Sequence, residues 1–142
     1  MEDIEKVRRW LVTFSRWGNQ PLHVDHTEAV PENGGLFPAG LEELSHTRDV
    51  LGNATVRCRY RFVLHRLVPV GEDGSEGAQW LLDFQNWVRE QSARGLAPTF
   101  GDEPARERLL AQKGRRIAGK QAGTGVYEVT LTAEFVRHYP NR

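Results

Sequence analysis

The longest strict alternation of apolar and polar side chains lies in residues 54–67, and it predicts a β-strand. The apolar positions are Val56, Cys58, Tyr60, Phe62 and Leu64, and the polar positions are Arg57, Arg59, Arg61 and His65. Because successive side chains of a strand point to opposite faces, this strand has one dry face and one wet, basic face. Other segments of the chain must cover the dry face.

A second alternation fills residues 126–139 and predicts another long strand. Tyr127, Val129, Leu131, Ala133 and Phe135 share one face, and Glu128, Thr130, Thr132 and Glu134 share the other. If the two strands are neighbours, Glu128 and Glu134 are placed to pair with the arginine row across the sheet. The same rows are also suited to pair between subunits. The alternative is a solvated face whose exposed ion pairs contribute little.

Two segments have the three-to-four spacing of amphipathic helices. Residues 3–14 carry Ile4, Val7, Leu11 and Phe14 on one stripe, with Trp10 widening it and Gly18 marking the exit. Residues 78–93 carry Leu81, Phe84, Trp87, Val88 and Gln91, with Trp80 adding apolar surface and Gly95 at the C-terminal cap position. Both stripes are typical of core packing against a sheet.

The remaining segments are less regular. Leu22 and Val24 predict a short strand, and residues 31–40, with two prolines and three glycines, predict a loop of some rigidity. We expect residues 43–51 to be extended and joined to the long strand by a tight turn at Gly52-Asn53, with a helix over 41–50 as the alternative. Residues 71–77 predict a flexible acidic loop and 96–104 a connecting loop. Residues 106–120 are ambiguous between helix and exposed strand; if 109–118 is extended, 121–125 is a hairpin loop.

These elements predict an α+β fold, with a mainly antiparallel sheet of four to five strands and two helices packed on one face. The 142 residues are the size of one domain, so we expect a single domain over 1–142.

Composition excludes several classes of function. The formal net charge is zero and 27% of residues are charged, which argues against a disordered chain and against a protein that coats nucleic acid. Arginine outnumbers lysine by 16 to 3, and guanidinium groups suit protein interfaces and phosphates better than ammonium groups do.

The one cysteine, Cys58, excludes an internal disulfide and lies on the dry face, where a buried thiol is expected. No stretch has the pattern of a signal peptide or a membrane helix, so we expect a soluble, intracellular protein.

Candidate chemistry is sparse. His23, Asp25 and His26 form a small group of metal-ligating types, but no second group completes a coordination set. Residues 114–121, GRRIAGKQ, imitate a phosphate-binding loop, but Gln121 replaces the hydroxyl that binds magnesium. The serines lack a nucleophile-elbow context. We therefore expect no enzyme, no cofactor and no metal.

Specific nucleic-acid binding is disfavoured by the same alternation. Tyr60 and Phe62 lie on the face opposite Arg57, Arg59 and Arg61, whereas a stacking platform needs aromatic and basic side chains on one surface.

The order of motifs resembles small minor capsid or tail proteins encoded by prophages of Gram-positive bacteria. The segments that carry the resemblance are RRWLVTFSRWGN, GGLFPAGLEELSHTRDVLGN, VRCRYRFVL, WLLDFQNWVREQSARGLAPTFGD and QAGTGVYEVTLTAEF, spread over nearly the whole chain. The order helix, strands, helix, strands is also similar to the tail-terminator proteins of siphophages.

The resemblance implies a non-enzymatic virion structural protein, a tail terminator or head-tail joining component that forms a ring such as a hexamer. Its implied partners are further copies of itself, a tail tube protein and a head-completion protein, and its implied location is the host cytoplasm during assembly and then the virion. A ring subunit needs complementary side surfaces. The residues proposed for them are Arg57, Arg59, Arg61, Glu128 and Glu134, with the acidic segment 72–76 as a further patch.

The alternative is a monomeric ligand-binding domain with a pocket between the Trp-bearing second helix and the GGLFPAG segment, 34–40.

Overall fold

A central pair of long antiparallel strands organises the computed structural model, which describes residues 2–18, 22–24, 34–69, 75–121 and 124–142. The elements are α1 (Asp3–Leu11), β1 (Leu22–Val24), β2 (Gly34–Arg48), β3 (Ala54–Pro69), α2 (Ser75–Ala93), a 3-10 turn (Pro104–Arg106), β4 (Arg108–Gln121) and β5 (Thr124–Tyr139). The strands form one sheet in the order β1-β2-β3-β5-β4, antiparallel except for the β1-β2 pair. The α+β class and the mainly antiparallel sheet are as predicted.

The alternation in β3 and β5 places their apolar side chains on one face of the sheet. Cys58 pairs with Phe135, Phe62 with Leu131 and Leu64 with Val129, and all of these side chains are buried. The long register leaves Arg59 directly opposite Glu134 on the other face. The sequence prediction for both strands is therefore confirmed.

The two helices cover the dry face with aromatic side chains. Trp10 of α1 stacks on Trp87 of α2 with ring centroids 4.7 Å apart, and its indole N–H donates to Gln91 at 3.1 Å. Phe14 packs edge-on against Phe84 at 5.5 Å. Aromatic contacts of this kind add to the free energy gained by burial. The outer face of the sheet carries no helix among the described residues.

Helix α1 is shorter than the predicted 3–14, because it ends at Leu11. The Thr13 hydroxyl donates to the Trp10 carbonyl, a local bond that competes with the helical ladder. Phe14 and Trp17 are nevertheless buried, since turns after the helix return them to the core.

The prediction of a loop over 31–40 is wrong from Gly34 onward, where β2 begins; residues 31–33 lie outside the described residues. Gly34 allows close packing rather than a turn, because a Cβ there would lie 2.9 Å from the Trp17 ring. Pro38 and Gly40 fall at a bulge, where the register shifts and Gly40 has φ of +101°. Segment 43–51 is extended only as far as Arg48, and the helical alternative is excluded.

Helix α2 begins at Ser75, so residues 75–77 are helical rather than part of an acidic loop; residues 71–74 lie outside the described residues. Gly77 allows the first turn to approach Tyr127 of β5, because a Cβ there would overlap the phenol ring. The helix ends as predicted, with Gly95 at φ of +73°.

The ambiguous segment 106–120 is a strand from Arg108 onward, whereas Arg106 ends the 3-10 turn. β4 pairs with β5 from Arg108 opposite Glu134 to Gln121 opposite Thr124, with residues 122 and 123 outside the described residues. Residues 114–121 are therefore extended backbone and not a phosphate-binding loop.

Candidate interaction surface

The outer face of the sheet, opposite the helices, carries the residues predicted to form an interface. Its side chains line up in rows across the strands. One row joins Glu42 of β2, Arg59 of β3, Glu134 of β5 and Arg108 of β4, and another joins His65, Glu128 and Arg115. We call this surface the charged face.

Arg59 is the centre of the first row. Its guanidinium donates to Glu134 Oε1 at 2.6 Å and lies 3.6 Å from Glu42 Oε2. The bond to Glu134 raises the pKa of Arg59 above its ordinary value. The predicted pairing of Arg59 and Glu134 across the sheet is therefore present within one chain.

Arg57 and Arg61 are more exposed than Arg59, with 57% and 41% of their side-chain surfaces accessible. Arg61 lies 3.3 Å from Glu42, and Arg57 lies 3.9 Å from Glu134. These contacts leave much of each guanidinium open to solvent, so both are available to a further partner.

Glu128 pairs differently from the prediction. It contacts His65 at 2.9 Å and Arg115 at 3.5 Å, at the opposite end of the charged face from Arg57 and Arg59. The sequence pattern predicted that Glu128 and Glu134 would both pair with the arginines of β3. In the structure they lie six residues apart along β5, and each belongs to a different cluster of charges.

A shallow hollow of about 310 Å³ lies beside the first row. Its lining includes Thr130 and Thr132 of β5, four cations and one carboxylate: Arg59, Arg61, Arg108, Lys113 and Glu134. In the part of the chain that the structure describes, no carboxylate oxygen lies within 4 Å of the Arg108 or Lys113 cation. The hollow therefore has a positive excess that suits a carboxylate or another oxyanion.

Sequence reasoning missed Arg108 and Lys113, because the segment that contains them had no clear period. The register of β4 shifts beyond Gln112, and Lys113 adopts φ of +56° at this irregularity. A bulge adds a residue to one strand, so side chains beyond it no longer follow the alternation between the two faces. A sequence pattern that relies on this alternation therefore cannot detect them.

Sequence reasoning also missed Arg66, which continues the apolar positions of β3 but is an arginine. It is 2% exposed, its guanidinium carbon lies 4.1 Å from the Trp17 ring centroid, and it donates to the Trp17 carbonyl oxygen. The signal was its place in the alternation, two residues after Leu64.

The residues of metal-ligating type and the cysteine noted in the sequence are placed as follows. Among the described residues, no group of three or more His, Cys, Asp and Glu side chains is arranged to hold a metal; His23 lies in β1, and Asp25 and His26 are outside the described residues. Cys58 is buried, and burial raises the pKa of its thiol, which disfavours the reactive thiolate.

No protein-family model matches this chain, and no curated protein matches its sequence significantly. The resemblance to prophage tail proteins therefore rests on the sequence motifs alone. Within the described ranges, neither helix combines the length and the apolar character needed to cross a bilayer.

Proposed function

We propose that this protein is a non-enzymatic virion assembly subunit, a tail terminator or head-tail joining component that associates with further copies of itself in a ring. The observation that carries the proposal is the charged face, a broad sheet surface without a covering layer among the described residues. Its partners in this role are a second copy, the tail tube protein and the head-completion protein. It acts in the host cytoplasm during assembly and then in the virion.

The charge distribution on this face favours association with a protein surface. The hollow at Thr130 and Thr132 has cations in excess of the carboxylates around it. Glu76, at the exposed start of α2, follows the acidic residues Glu72 and Asp73 in sequence. In a head-to-tail ring, two different patches of one chain must meet, and a basic hollow and an acidic segment are complementary.

Charge reversal of all three β3 arginines on the charged face, Arg57, Arg59 and Arg61, is a poor test of this interface. Arg59 lies between Glu134 and Glu42, so an Arg59→Glu substitution would gather three carboxylates and destabilise the monomer itself. Arg57 and Arg61 are the better targets, since both are exposed and the Arg59–Glu134 pair remains.

The test is light-scattering mass against protein concentration, followed by electron microscopy of any large species. We expect the wild type to form closed rings and the double variant R57Q/R61Q to shift towards the monomer. The matched control is R89Q/R94Q, which removes one exposed charge from α2 and one from the turn that follows it. Rings that form equally well in R57Q/R61Q would remove the charged face from the interface.

The second candidate is a monomeric ligand-binding domain. A cleft of about 280 Å³ beside Trp80 favours it, although the cleft is lined by Arg16, Gly18, Arg66 and neighbouring residues and not by the GGLFPAG segment. Quenching of tryptophan fluorescence by a small molecule in a protein that stays monomeric would favour this candidate over the ring.

A further inference from the structure

The β2 side of the β2–β3 hairpin extends beyond the layer of helices. Every residue from 38 to 51 is exposed, although the strand pairing continues to Arg48 opposite Ala54. In the described part of the chain, β1 pairs with β2 only at residues 34–36, so the outer edge of the hairpin has no neighbouring strand. We call residues 41–60 the arm.

The loop at the end of the arm, residues 49–53, is held in one conformation. The Asp49 carboxylate accepts bonds from the Leu51 and Asn53 backbone N–H groups at 2.9 and 3.0 Å and from the Asn53 side chain at 3.0 Å. Asn141 donates from its side chain to the Leu51 carbonyl at 3.0 Å, and Gly52 has φ of +84°. The bonds that the Asp49 carboxylate accepts, first of all from the Asn53 side chain and then from the Asn53 backbone, lower the pKa of Asp49 below its usual range. The predicted two-residue turn is thus a five-residue loop with its own network.

This ordered loop presents two adjacent aliphatic side chains to solvent. Val50 is fully exposed and Leu51 is 73% exposed. A flexible loop with exposed apolar residues needs no explanation, but a rigid loop that holds such residues outward is preorganised for contact with an apolar surface. We call Val50 and Leu51 the tip.

A cleft of about 530 Å³ lies along the same arm, on the side of the sheet that the helices cover elsewhere. Ala54, Val56 and Cys58 are buried residues that line it, and Leu41 and Tyr139 line it as well while more than half exposed. The lining also includes four polar or charged side chains, those of Glu43, His46, Arg48 and Asn141. Its volume is within the range of pockets that enclose small ligands, so it has room for two aliphatic side chains.

The tip and the cleft cannot meet within one molecule. Val50 and Leu51 are exposed and do not line the cleft of their own molecule, although Gly52 and Asn141 beside them do. The bonds made by Asp49 and Asn141 hold the loop in this arrangement. An apolar projection and a partly apolar depression that are separated in this way are complementary only between two copies.

We propose that the tip of one copy docks in the cleft of a second copy, with Val50 and Leu51 packing against Leu41, Val56 and Tyr139. The inference rests on the proposed self-association and assigns to it a contact separate from the charged face. The two contacts involve different residues, so each is tested by its own variants.

The experiment is sedimentation velocity over a range of protein concentration. We expect L51D to raise the concentration needed for association by at least about tenfold, because it places a carboxylate in an apolar contact. The matched control is L82D, since Leu82 is 54% exposed on α2, away from the arm, and this variant should associate as the wild type does. Circular dichroism of both variants checks that the monomer is folded.

A second pair of variants tests the direction of the contact. L51D and L41K should each associate poorly alone and associate when mixed, because the new carboxylate then meets the new ammonium group. Wild-type association by L51D, or failure of the mixture to associate, would overturn the tip-in-cleft contact while leaving a ring built through the charged face intact. A wild type that stays monomeric at every concentration would overturn it as well, and the proposed function would then depend on capping of purified tail tubes.

Discussion

At the scale of single residues, Arg66 departs most from what the pattern predicts. It occupies a core position of β3, and its guanidinium lies between the Trp17 and Trp80 rings, 4.1 and 5.5 Å from their centroids. Burial of a cation is costly unless its environment compensates, and here the Trp17 carbonyl oxygen and two aromatic faces do so. Through its contacts with Trp17 and Trp80, Arg66 therefore links the turns after α1 to β3 and α2.

Removal of the Arg66 side chain should destabilise the fold. We expect Arg66→Ala to lower the free energy of unfolding by about 3 kcal/mol, because it leaves a cavity and deprives a buried carbonyl of its donor. Urea denaturation followed by tryptophan fluorescence measures this. Arg57→Ala, on the exposed side of the same strand, is the control and should change stability by less than about 0.5 kcal/mol. A loss below about 1 kcal/mol for Arg66→Ala would contradict this role.

At the scale of elements, one polar contact joins the start of α1 to the centre of β3. The Tyr60 hydroxyl donates to Asp3 Oδ2 at 2.6 Å, and the Tyr60 ring packs against Phe135 at 4.8 Å. Burial, followed by the bond to the Asp3 carboxylate and its charge, raises the pKa of Tyr60 to about 12.

This raised pKa predicts how stability changes with pH. Because the unfolded pKa is about 10, the neutral phenol stabilises the folded state fully below pH 10, and this contribution is lost as pH rises to about 12. We expect Tyr60→Phe to cost about 1 kcal/mol at neutral pH and the gap to the wild type to shrink between about pH 10 and 12. Urea denaturation at several pH values checks this, with Tyr139→Phe as the control. A gap that stays constant with pH would show that the Tyr60 hydroxyl does not titrate with folding.

The elements that the sequence predicted well are those with a single dominant period. Strands β3 and β5 each alternate over more than ten residues, and α2 keeps its apolar spacing for four turns, so burial alone selects their conformation. The start of β2 resembles a loop in sequence because glycine and proline are common in turns. In the structure Gly34 instead allows close packing against Trp17, and Pro38 lies at a bulge. β4 was ambiguous because it lies at the edge of the sheet with charged residues along it.

The residues of the charged face were likewise predictable only where their strand has a single dominant period. Arg57, Arg59 and Arg61 share a face because β3 alternates, and the Arg59–Glu134 contact follows once β3 and β5 are neighbours. Arg108 and Lys113 join them only through the register of a bulged edge strand, which a single sequence does not specify. The tip depends on side-chain bonds of Asp49 and Asn141, which come together from distant parts of the chain.

At the scale of the whole molecule, the protein has two exposed surfaces of opposite character. The charged face is a ladder of arginines and glutamates with a hollow in which cations outnumber carboxylates, whereas the tip and about half of the cleft lining are apolar. The formal net charge of zero means that no long-range repulsion keeps copies apart, so local complementarity decides whether they associate. These two kinds of contact respond differently to salt.

We therefore expect salt to separate their contributions to assembly. Raising sodium chloride from about 0.05 to 1 M shortens the screening length from more than 10 Å to about 3 Å, which weakens contacts of the charged face. Apolar contacts persist, and sulfate strengthens them. In sedimentation velocity at both salt concentrations, the association of L51D should be strongly reduced by salt, since only the charged face remains to hold its copies together. Association of R57Q/R61Q should change little with sodium chloride and increase with sulfate, because it depends on the tip and cleft. If both variants respond to salt as the wild type does, the two surfaces do not make separate contributions, and the division of assembly between a charged and an apolar contact is wrong.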